Sequence, residues 1–444
     1  MKDVEFHPAR ALVVSFLAAI LAGTLLLSLP FSAADGRPAF LDALFTATSA
    51  VCVTGLTVID TPTRFSAAGQ AVILFLVQLG GLGIMTFSTL IILAARRRIS
   101  VRERLLIQSS FHPGIPRDLP SLVRSIFLFT LAIEAAGAAL LFVWFRPVFG
   151  AARAAWPAVF HSVSAFCNAG FSLFSDSLSG YRGHAGLNLT MAGLIVLGGI
   201  GFPVLSETRA ILAERRRGRR VRTSLHFKLV VTVTLFLVAG AAVAFFLLEG
   251  PFSMSGLPAG ERALASLFQS VTARTAGFNT VDIPTIAPAS VLLLLFLMFV
   301  GASPASTGGG VKTSTAAFLV LLVRARVAAR DTVSAFRRSF AAELVLRAFT
   351  LIALAMGVIL LATMVLLVAQ PEIGLRDALF EMVSAFGTVG LSMGVTPALG
   401  PFGKVVVCLT MFTGRVGPLT LLYALSRREA RGRFEYAEES VLIG

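Results

Sequence analysis

Long apolar stretches alternate with short polar segments along the whole chain. Eight runs have roughly the 20 residues that a helix needs to cross a ~30 Å hydrocarbon core. They lie near residues 11–29, 70–95, 121–145, 187–212, 226–248, 288–323, 341–368 and 402–425. This pattern predicts an all-α polytopic membrane protein with eight transmembrane helices, and it leaves almost nothing for a soluble domain.

A shorter amphipathic stretch and then a glycine lie between each odd-numbered run and the even-numbered run that follows it. The short stretches lie near residues 40–50, 155–166, 262–272 and 375–385. The four glycine segments read SAVCVTGL, SAFCNAGF, TARTAGF and SAFGTVGL, and successive glycines are 115, 107 and 113 residues apart. A hydroxyl residue precedes each glycine by five or six positions. This period predicts four pseudo-symmetric repeats of helix, pore loop and helix, at approximately residues 1–104, 105–222, 223–338 and 339–444.

The even-numbered runs carry a second set of glycines at a similar distance after the first set. Its members are Gly80, Gly81, Gly83, Gly198, Gly199, Gly201, Gly301, Gly414 and Gly417. Glycine is common where membrane helices pack closely, so one such cluster alone would indicate little. Its recurrence at the same place in each repeat supports the predicted period.

The four glycine segments are candidates for a cation pathway. Irregular backbone at membrane depth must line a water-filled path or be buried in protein, and glycine permits the positive φ angles that align successive carbonyls. Carbonyl oxygens on one axis can replace the hydration shell of a cation. The candidate filter residues are Val53, Thr54, Gly55, Asn168, Ala169, Gly170, Thr275, Ala276, Gly277, Thr388, Val389 and Gly390. Helix packing or a simple turn is the alternative for any one of these glycines, but neither explains their shared period.

Basic residues are grouped after every second apolar run. The chain has 444 residues, 56% of them hydrophobic, and a formal net charge of +15. Five arginines follow the second run, seven the fourth, five the sixth and four the eighth. Because Lys and Arg concentrate in cytoplasmic loops, the even-numbered runs are predicted to end in the cytoplasm, with both termini cytoplasmic. The grouping favours the lipid bilayer over nucleic acid as the partner of these charges, and it leaves open a protein contact at the same surface.

The sixth run is too long for one straight helix. Its 33 residues from Val291 to Val323 would extend about 50 Å, and several glycines and a proline lie at its middle. Because these residues disfavour helix, we expect an irregular intramembrane loop that could act as a gate, with a plain kink as the alternative. The candidate gate residues in this segment are Gly301, Ser306, Thr307, Gly308, Gly309, Gly310 and Lys312.

Arg415 lies in the middle of the eighth apolar run. A charge at that depth costs about 2.5 to 3.5 kcal/mol on insertion scales, so it must face water or a polar partner. In repeat register it corresponds to the second set of glycines, which predicts a place in the pore lining below the filter. There it would oppose the passage of cations, and a purely structural tie to backbone carbonyls is the alternative.

No group of residues indicates an enzyme, a metal centre or an organic cofactor. The three cysteines are scattered without a CxxC, and the five histidines are isolated, so none is assigned any chemistry. The glycines near Lys312 suggest a phosphate-binding loop, but Val311 separates them from the lysine. The chain also lacks the GxGxxG dinucleotide fingerprint, so regulation by a nucleotide would need a separate protein.

Together these motifs resemble the Trk/Ktr/HKT superfamily of potassium transporters and, within it, the KtrB-type membrane subunit. The resemblance covers nearly the whole chain, and its most specific segments are AVCVTGLTVIDT, QLGGLGIMTF, SAFCNAGFS, SVTARTAGFNTVD, GASPASTGGGVKT, SAFGTVGLS and MFTGRVGPLTL. It implies K⁺ as the transported ion, with Na⁺ as a candidate activator. It also implies a selectivity filter at the four loop glycines and a gate formed by the Gly301 to Lys312 loop with Arg415.

The resemblance further implies where the protein acts and with which partners. It implies potassium uptake across a bacterial cytoplasmic (inner) membrane by a homodimer with one pore per protomer. A cytoplasmic ring of nucleotide-binding regulatory subunits of the KtrA or TrkA type would control the gate. The alternative function is a sodium-coupled secondary transporter with discontinuous helices, which predicts two inverted halves and not four repeats of one polarity.

Overall fold

The structure, a computed structural model, describes residues 8–97, 119–219, 221–330 and 332–425 and is mostly helical. The helices before residue 220 are α1 (Pro8–Leu27), α2 (Phe40–Cys52), α3 (Thr61–Arg64), α4 (Ala67–Arg97), α5 (Leu119–Phe166), α6 (Ala185–Gly199) and α7 (Phe202–Arg216). Those after it are α8 (Leu225–Leu248), α9 (Ala259–Thr272), α10 (Pro288–Phe299), α11 (Thr313–Val327), α12 (Ala342–Ala369), α13 (Leu375–Gly387), α14 (Pro401–Val416) and α15 (Pro418–Leu425). A two-stranded antiparallel hairpin, β1 (Ser334–Ala335) and β2 (Arg338–Ser339), separates α11 from α12.

Length and apolar composition identify four membrane-spanning candidates among the described residues: α1, α5, α8 and α12. Two bent pairs, α6 with α7 and α14 with α15, raise the number to six if each pair is one span. The apolar pattern predicted a single helix for each of these two runs, whereas the structure bends them by 103° and 92°. A glycine at positive φ, Gly201 or Gly417, lies at each bend and a proline follows within two residues, which ends one helix and starts the next. A total of eight transmembrane helices stays a prediction.

Four half-length helical segments lead into the glycine loops. Three are α2, α9 and α13, with 13, 14 and 13 residues, too short to cross a bilayer. The fourth is the last part of α5, which is set off by a break at Gly150 with φ of 76°. The apolar pattern predicted a gap between residues 145 and 155, but the chain stays helical on both sides of Gly150. One glycine at positive φ is enough to redirect the chain, so no longer loop is needed.

Irregular backbone interrupts the sixth apolar run, in agreement with its length and composition. Helix α10 ends at Phe299 and α11 begins at Thr313. The ends of the intervening segment are held together, because Val300 and Val311 form a parallel bridge and the Gly301 N–H donates to the Val311 carbonyl at 2.9 Å. This segment, residues 300–312, is called the 300–312 loop below.

Many residues used to predict the sidedness of the membrane lie outside the described residues. The first and last segments, 1–7 and 426–444, are among them. So are the arginines Arg98, Arg102, Arg104, Arg220, Arg427, Arg428, Arg431 and Arg433. The predicted orientation, with both termini cytoplasmic, therefore stays a prediction.

Glu249 joins the end of α8 to the start of α10 and is only 1% exposed. One carboxylate oxygen accepts a hydrogen bond from the Ala287 N–H at 3.0 Å, and the other accepts from the N–H and hydroxyl of Ser253 at 3.3 and 2.7 Å. Since a buried donor without a partner is costly, this carboxylate stabilises both connections at once.

Replacing Glu249 by leucine should lower the stability of the protein. Glu249→Leu leaves the buried Ala287 N–H without an acceptor, which costs about 1–3 kcal/mol for each such group. The measurement is the apparent unfolding temperature of the full chain in detergent. Glu343→Ala is the matched control, because Glu343 is exposed and forms an ion pair with Arg347 within the same helix. Equal unfolding temperatures for the two variants would contradict the role of Glu249.

Candidate functional site

The four glycine loops share one unusual backbone conformation. The residue two positions before each glycine lies in the left-handed region: Val53, Asn168, Thr275 and Thr388 have φ of 56°, 59°, 72° and 50°. The glycines Gly55, Gly170, Gly277 and Gly390 follow with φ of 90°, 70°, 76° and 95°. A left-handed conformation costs a residue other than glycine roughly 1–2 kcal/mol. Because this conformation is unfavourable and recurs in all four loops, the surrounding structure must hold each loop in it.

The structure brings these four glycines together in a closed ring. A Cβ added to Gly55 would lie 2.5 Å from the Ala169 carbonyl oxygen, and one added to Gly170 would lie 2.9 Å from that of Ala276. In the same way, Gly277 faces the Val389 carbonyl and Gly390 faces the Thr54 carbonyl. Each glycine thus meets the carbonyl just before the next glycine in chain order, and the fourth returns to the first. The ring leaves no room for a side chain at any of the four positions.

Hydroxyl side chains at the ends of the half-helices hold the loops in place. The Ser49 Oγ accepts from the Gly55 N–H and the Ser384 Oγ accepts from the Gly390 N–H, both at 3.1 Å. In the other two loops the hydroxyl donates instead, from Ser164 to the Phe171 carbonyl at 2.7 Å and from Thr272 to the Phe278 carbonyl at 2.5 Å. The spacing between hydroxyl and glycine therefore has a physical cause in each of the four segments.

The second set of glycines packs against the ends of the half-helices. A Cβ on Gly80, Gly198 or Gly414 would collide with the carbonyl of Val51, Phe166 or Phe386 respectively. These three carbonyls occupy the same place, two residues after the loop hydroxyl. In the third repeat the sixth run has the 300–312 loop at this point, and Gly301 packs against Thr275 and the Gly309 carbonyl. Small residues thus let the backbone approach closely around the ring.

Polar side chains that the sequence analysis did not assign lie behind the loops. Three residues before each loop hydroxyl stands a buried polar residue, and these are Thr46, His161, Gln269 and Glu381. The His161 Nε2 is 3.0 Å from the Ser172 Oγ, and Glu381 accepts hydrogen bonds from Ser392 at 2.8 Å and from Thr396. Ser172 and Ser392 each lie two residues after a ring glycine. The sequence analysis treated His161 as isolated. The recurrence of a polar residue three positions before the loop hydroxyl in every half-helix was the signal that could have identified this set.

A polar vestibule opens on one side of the ring. It is a cavity of about 320 Å³ lined by the four ring glycines together with the loop residues that follow them. Two carboxylates, Asp60 and Asp282, stand at its wall, each five residues after a ring glycine. The Asp60 Oδ2 accepts hydrogen bonds from the hydroxyls of Thr63 and Ser175 at 2.8 and 2.7 Å. The vestibule therefore has two acidic residues in its wall.

The 300–312 loop lies directly against the third and fourth glycine loops. A Cβ on Gly308 would collide with the Thr275 Oγ1, and one on Gly309 with the Thr388 Oγ1. The same loop is tied to the bend between α6 and α7, because the Thr307 N–H donates to the Gly198 carbonyl at 3.2 Å. It thus packs beneath the ring and is hydrogen-bonded to a neighbouring broken helix.

Two cationic side chains hold this loop. Arg415 is 3% exposed and donates to the Thr307 carbonyl at 2.5 Å and to the Gly80 carbonyl at 2.7 Å. The Lys312 Nζ donates to the Gly308 carbonyl at 2.6 Å. No carboxylate pairs with either group among the described residues. Arg415 therefore ties α14, the 300–312 loop and α4 together, and positive charge lies next to the predicted path. The remaining gate candidate, Ser306, is buried and donates to the Ser303 carbonyl at 2.6 Å within the loop.

The comparisons with known proteins match this chain to cation transport and uptake proteins. The family model TrkH, described as "Cation transport protein", matches residues 7–432. "Ktr system potassium uptake protein B" of Bacillus subtilis (strain 168) is 38% identical over 447 residues, which is 100% of this chain and 98% of that protein. "Potassium/sodium uptake protein NtpJ" of Enterococcus hirae is 38% identical over 448 residues, 99% and 98% of the two chains. The crystal structure of the potassium transporter TrkH from Vibrio parahaemolyticus has the same fold, with a TM-score of 0.74 at 22% identity, covering 96% of this chain and 86% of that one.

The hydrogen bonds behind the fourth loop predict a strong coupling between Glu381 and its donors. Glu381→Leu should destabilise the protein, because it leaves the buried hydroxyl of Thr396 and the half-buried hydroxyl of Ser392 without their acceptor. In a double-mutant cycle measured by thermal unfolding, combining it with Ser392→Ala and Thr396→Val should cost clearly less than the sum of the separate effects. Leu375→Ala, on the same helix but 65% exposed, is the control and should change little. Additive effects would show that these groups do not interact.

Proposed function

Because the chain belongs to the TrkH family of cation transport proteins, we propose that it takes up potassium ions across the cytoplasmic membrane of a bacterium. The resemblance predicted from the motifs is thereby confirmed, and the family is one of transporters and not of enzymes. The observation that carries the proposal is the closed ring, in which each of the four glycines faces the carbonyl of the residue just before the next ring glycine. Backbone carbonyls of this kind can take the place of the water around a monovalent cation.

The selectivity filter is formed by the three residues that end at each ring glycine. The pore axis passes through the ring, and the carbonyls of the twelve candidate residues replace the ion's hydration shell. The half-helices support this assignment, because the partial negative charge at their C-terminal ends favours a cation at the ring. The vestibule carboxylates Asp60 and Asp282 add a field that raises the local cation concentration. In this arrangement eight transmembrane helices form four repeats around one pore.

The 300–312 loop and Arg415 form the gate below the filter. The loop packs against Thr275 and Thr388, so an ion that leaves the ring on that side meets it first. Arg415 holds the loop through the Thr307 carbonyl and adds a positive charge that repels a cation in the closed state. Opening then requires the loop to move away from the ring, with its base kept together by the Val300 and Val311 bridge.

Control of this gate comes from outside the chain. We assign it to a cytoplasmic ring of nucleotide-binding subunits, in line with the name of the Bacillus subtilis relative, which places that protein in a Ktr system. The chain works as a homodimer with one pore per protomer and both termini in the cytoplasm. Na⁺ is a candidate activator, and the Enterococcus hirae relative is named for both potassium and sodium.

A sodium-coupled secondary transporter is the second candidate function. The bends at Gly201 and Gly417 favour it, because discontinuous helices at mid-membrane bind substrate and ion in many such proteins. Two inverted halves would pair the broken helices across a two-fold axis. A ring that closes through four loops in chain order supports the filter instead.

Replacing a ring glycine should lower the selectivity for potassium over sodium in a protein that is still expressed. Gly55→Ser places a side chain against the Ala169 carbonyl in a backbone with φ of 90°, so the ring must widen. In cells without their own potassium systems, the variant should admit sodium at a rate closer to that of potassium or rubidium. Gly36→Ser is the matched control, since Gly36 also has positive φ but nothing within 4 Å of an added Cβ. Unchanged selectivity in Gly55→Ser and in the corresponding variants at the other three glycines would refute the filter.

Loss of Arg415 should release the 300–312 loop. Arg415→Gln removes the charge and weakens the bonds to the Thr307 and Gly80 carbonyls, so rubidium uptake should rise severalfold or become independent of a regulatory subunit. Arg262→Gln is the control, because Arg262 is a half-buried arginine that packs on the Phe246 ring at 4.1 Å and lies outside the glycine loops and the 300–312 loop. A folded Arg415→Gln protein with uptake no higher than that of Arg262→Gln would contradict the gate.

A further inference from the structure

A large cleft lies between α8, α10, α11 and the β1–β2 hairpin, away from the ring. Its volume is about 720 Å³, and its walls are mainly apolar along most of its length. Several large side chains that line it are exposed, with Phe236, Phe296 and Val320 at 74%, 54% and 67%. Exposed apolar side chains are normal on membrane-spanning helices, so it is the concave shape of this apolar surface that indicates a site for an apolar ligand.

The hairpin closes one end of the cleft. It is docked on α11, because the Phe340 ring lies 4.8 Å from that of Phe318 in an edge-to-face arrangement. Its two turn residues, Phe336 and Arg337, both have positive φ, 50° and 62°, in positions where Asn and Gly are preferred. This strained turn holds an aromatic ring and a guanidinium side by side at the mouth of the cleft.

Three arginines, Arg324, Arg330 and Arg337, line the same end. They belong to the basic group after the sixth apolar run, so the predicted topology puts them at the cytoplasmic face of the membrane. None of the three forms an ion pair with a described residue, and no described residue that lines the cleft is acidic. The cleft therefore combines an apolar body with one cationic end.

The length of the cleft matches one leaflet of a bilayer. It extends from Val300, at the base of the 300–312 loop, to Arg324 near the end of α11. The part of α11 from Thr313 to Arg324 rises about 16 Å, which is close to half of the ~30 Å hydrocarbon core. An acyl chain in the cleft would thus reach the base of the loop while its headgroup stays at the arginines.

We propose that this cleft binds an anionic phospholipid, with the phosphate at the three arginines and an acyl chain along α8 and α11. Guanidinium groups bind phosphate through paired hydrogen bonds, and each basic residue at an anionic surface adds to affinity. A second copy of the chain fits less well, because a two-fold interface at this face would bring the same arginines of both copies together. Since the cleft ends at Val300, the bound lipid contacts the bridge that closes the base of the 300–312 loop.

The test uses the full chain reconstituted in vesicles and reads lipid contact, not ion flux, so it stands apart from the proposed function. Phe296→Trp places a fluorophore in the cleft, and the signal of the native tryptophans is subtracted with the unmodified protein. Phosphatidylglycerol with brominated acyl chains should quench this tryptophan more strongly than brominated phosphatidylcholine at the same mole fraction. We expect the quenching by phosphatidylglycerol to exceed that by phosphatidylcholine at least about fivefold. Removing all three charges by Arg324→Gln, Arg330→Gln and Arg337→Gln should abolish this preference.

A matched triple variant separates a site from general surface charge. Arg215→Gln, Arg216→Gln and Arg222→Gln remove the same charge from exposed arginines that do not line the cleft, and the lipid preference should persist. Equal quenching by the two lipids in the Phe296→Trp protein, or equal loss in both triple variants, would overturn the proposal. Shielding of the tryptophan from both lipids would also overturn it, because protein would then cover the cleft.

Discussion

Backbone N–H and carbonyl groups cannot be left unpaired inside a bilayer, and this constraint organises the whole structure. The chain leaves helical conformation between apolar helices in the four glycine loops and again in the 300–312 loop. Several of the freed backbone groups have partners nearby: the Gly55 and Gly390 N–H groups donate to Ser49 and Ser384, and the Thr307 N–H donates to the Gly198 carbonyl. At the ring, the carbonyl before each glycine faces the neighbouring glycine. Carbonyls that are free of hydrogen bonds are useful where a cation passes, which is the role we propose for the ring.

The four loops share a backbone but differ in the side chains that hold them. The hydroxyl accepts a hydrogen bond in the first and fourth loops and donates one in the second and third. The buried polar residue three positions before the hydroxyl also differs, from a threonine, Thr46, in the first half-helix to a glutamate, Glu381, in the fourth. The 300–312 loop follows the third glycine loop along the chain and packs against the third and fourth glycine loops. A ring of similar carbonyls is therefore embedded in unequal surroundings, and the loop that we propose as the gate lies on one side of it.

The sequence alone could predict the features that recur. The glycine period, the spacing from hydroxyl to glycine and the interruption after Phe299 are all readable from the pattern, because each has a local backbone cause. The bends at Gly201 and Gly417 were missed although a proline follows each glycine, since hydropathy runs on without a break through both. The offset of His161 and Glu381 from the loop hydroxyl could have identified them as a set, but their hydrogen-bond partners Ser172 and Ser392 lie beyond the loop and could not be predicted from the local sequence. Contacts between distant segments, such as Arg415 with Gly80, carry no local signal.

The order in which the ring closes bears on how the protein is made. Its last contacts join the end of the chain to the beginning: Gly390 meets the Thr54 carbonyl, and Arg415 reaches the Gly80 carbonyl across 335 residues. Contacts of such long sequence separation carry a large loop-closure entropy, which slows folding. A nascent or truncated chain that ends before Gly390 lacks the fourth side of the ring. The ring therefore closes only when the last part of the chain is present.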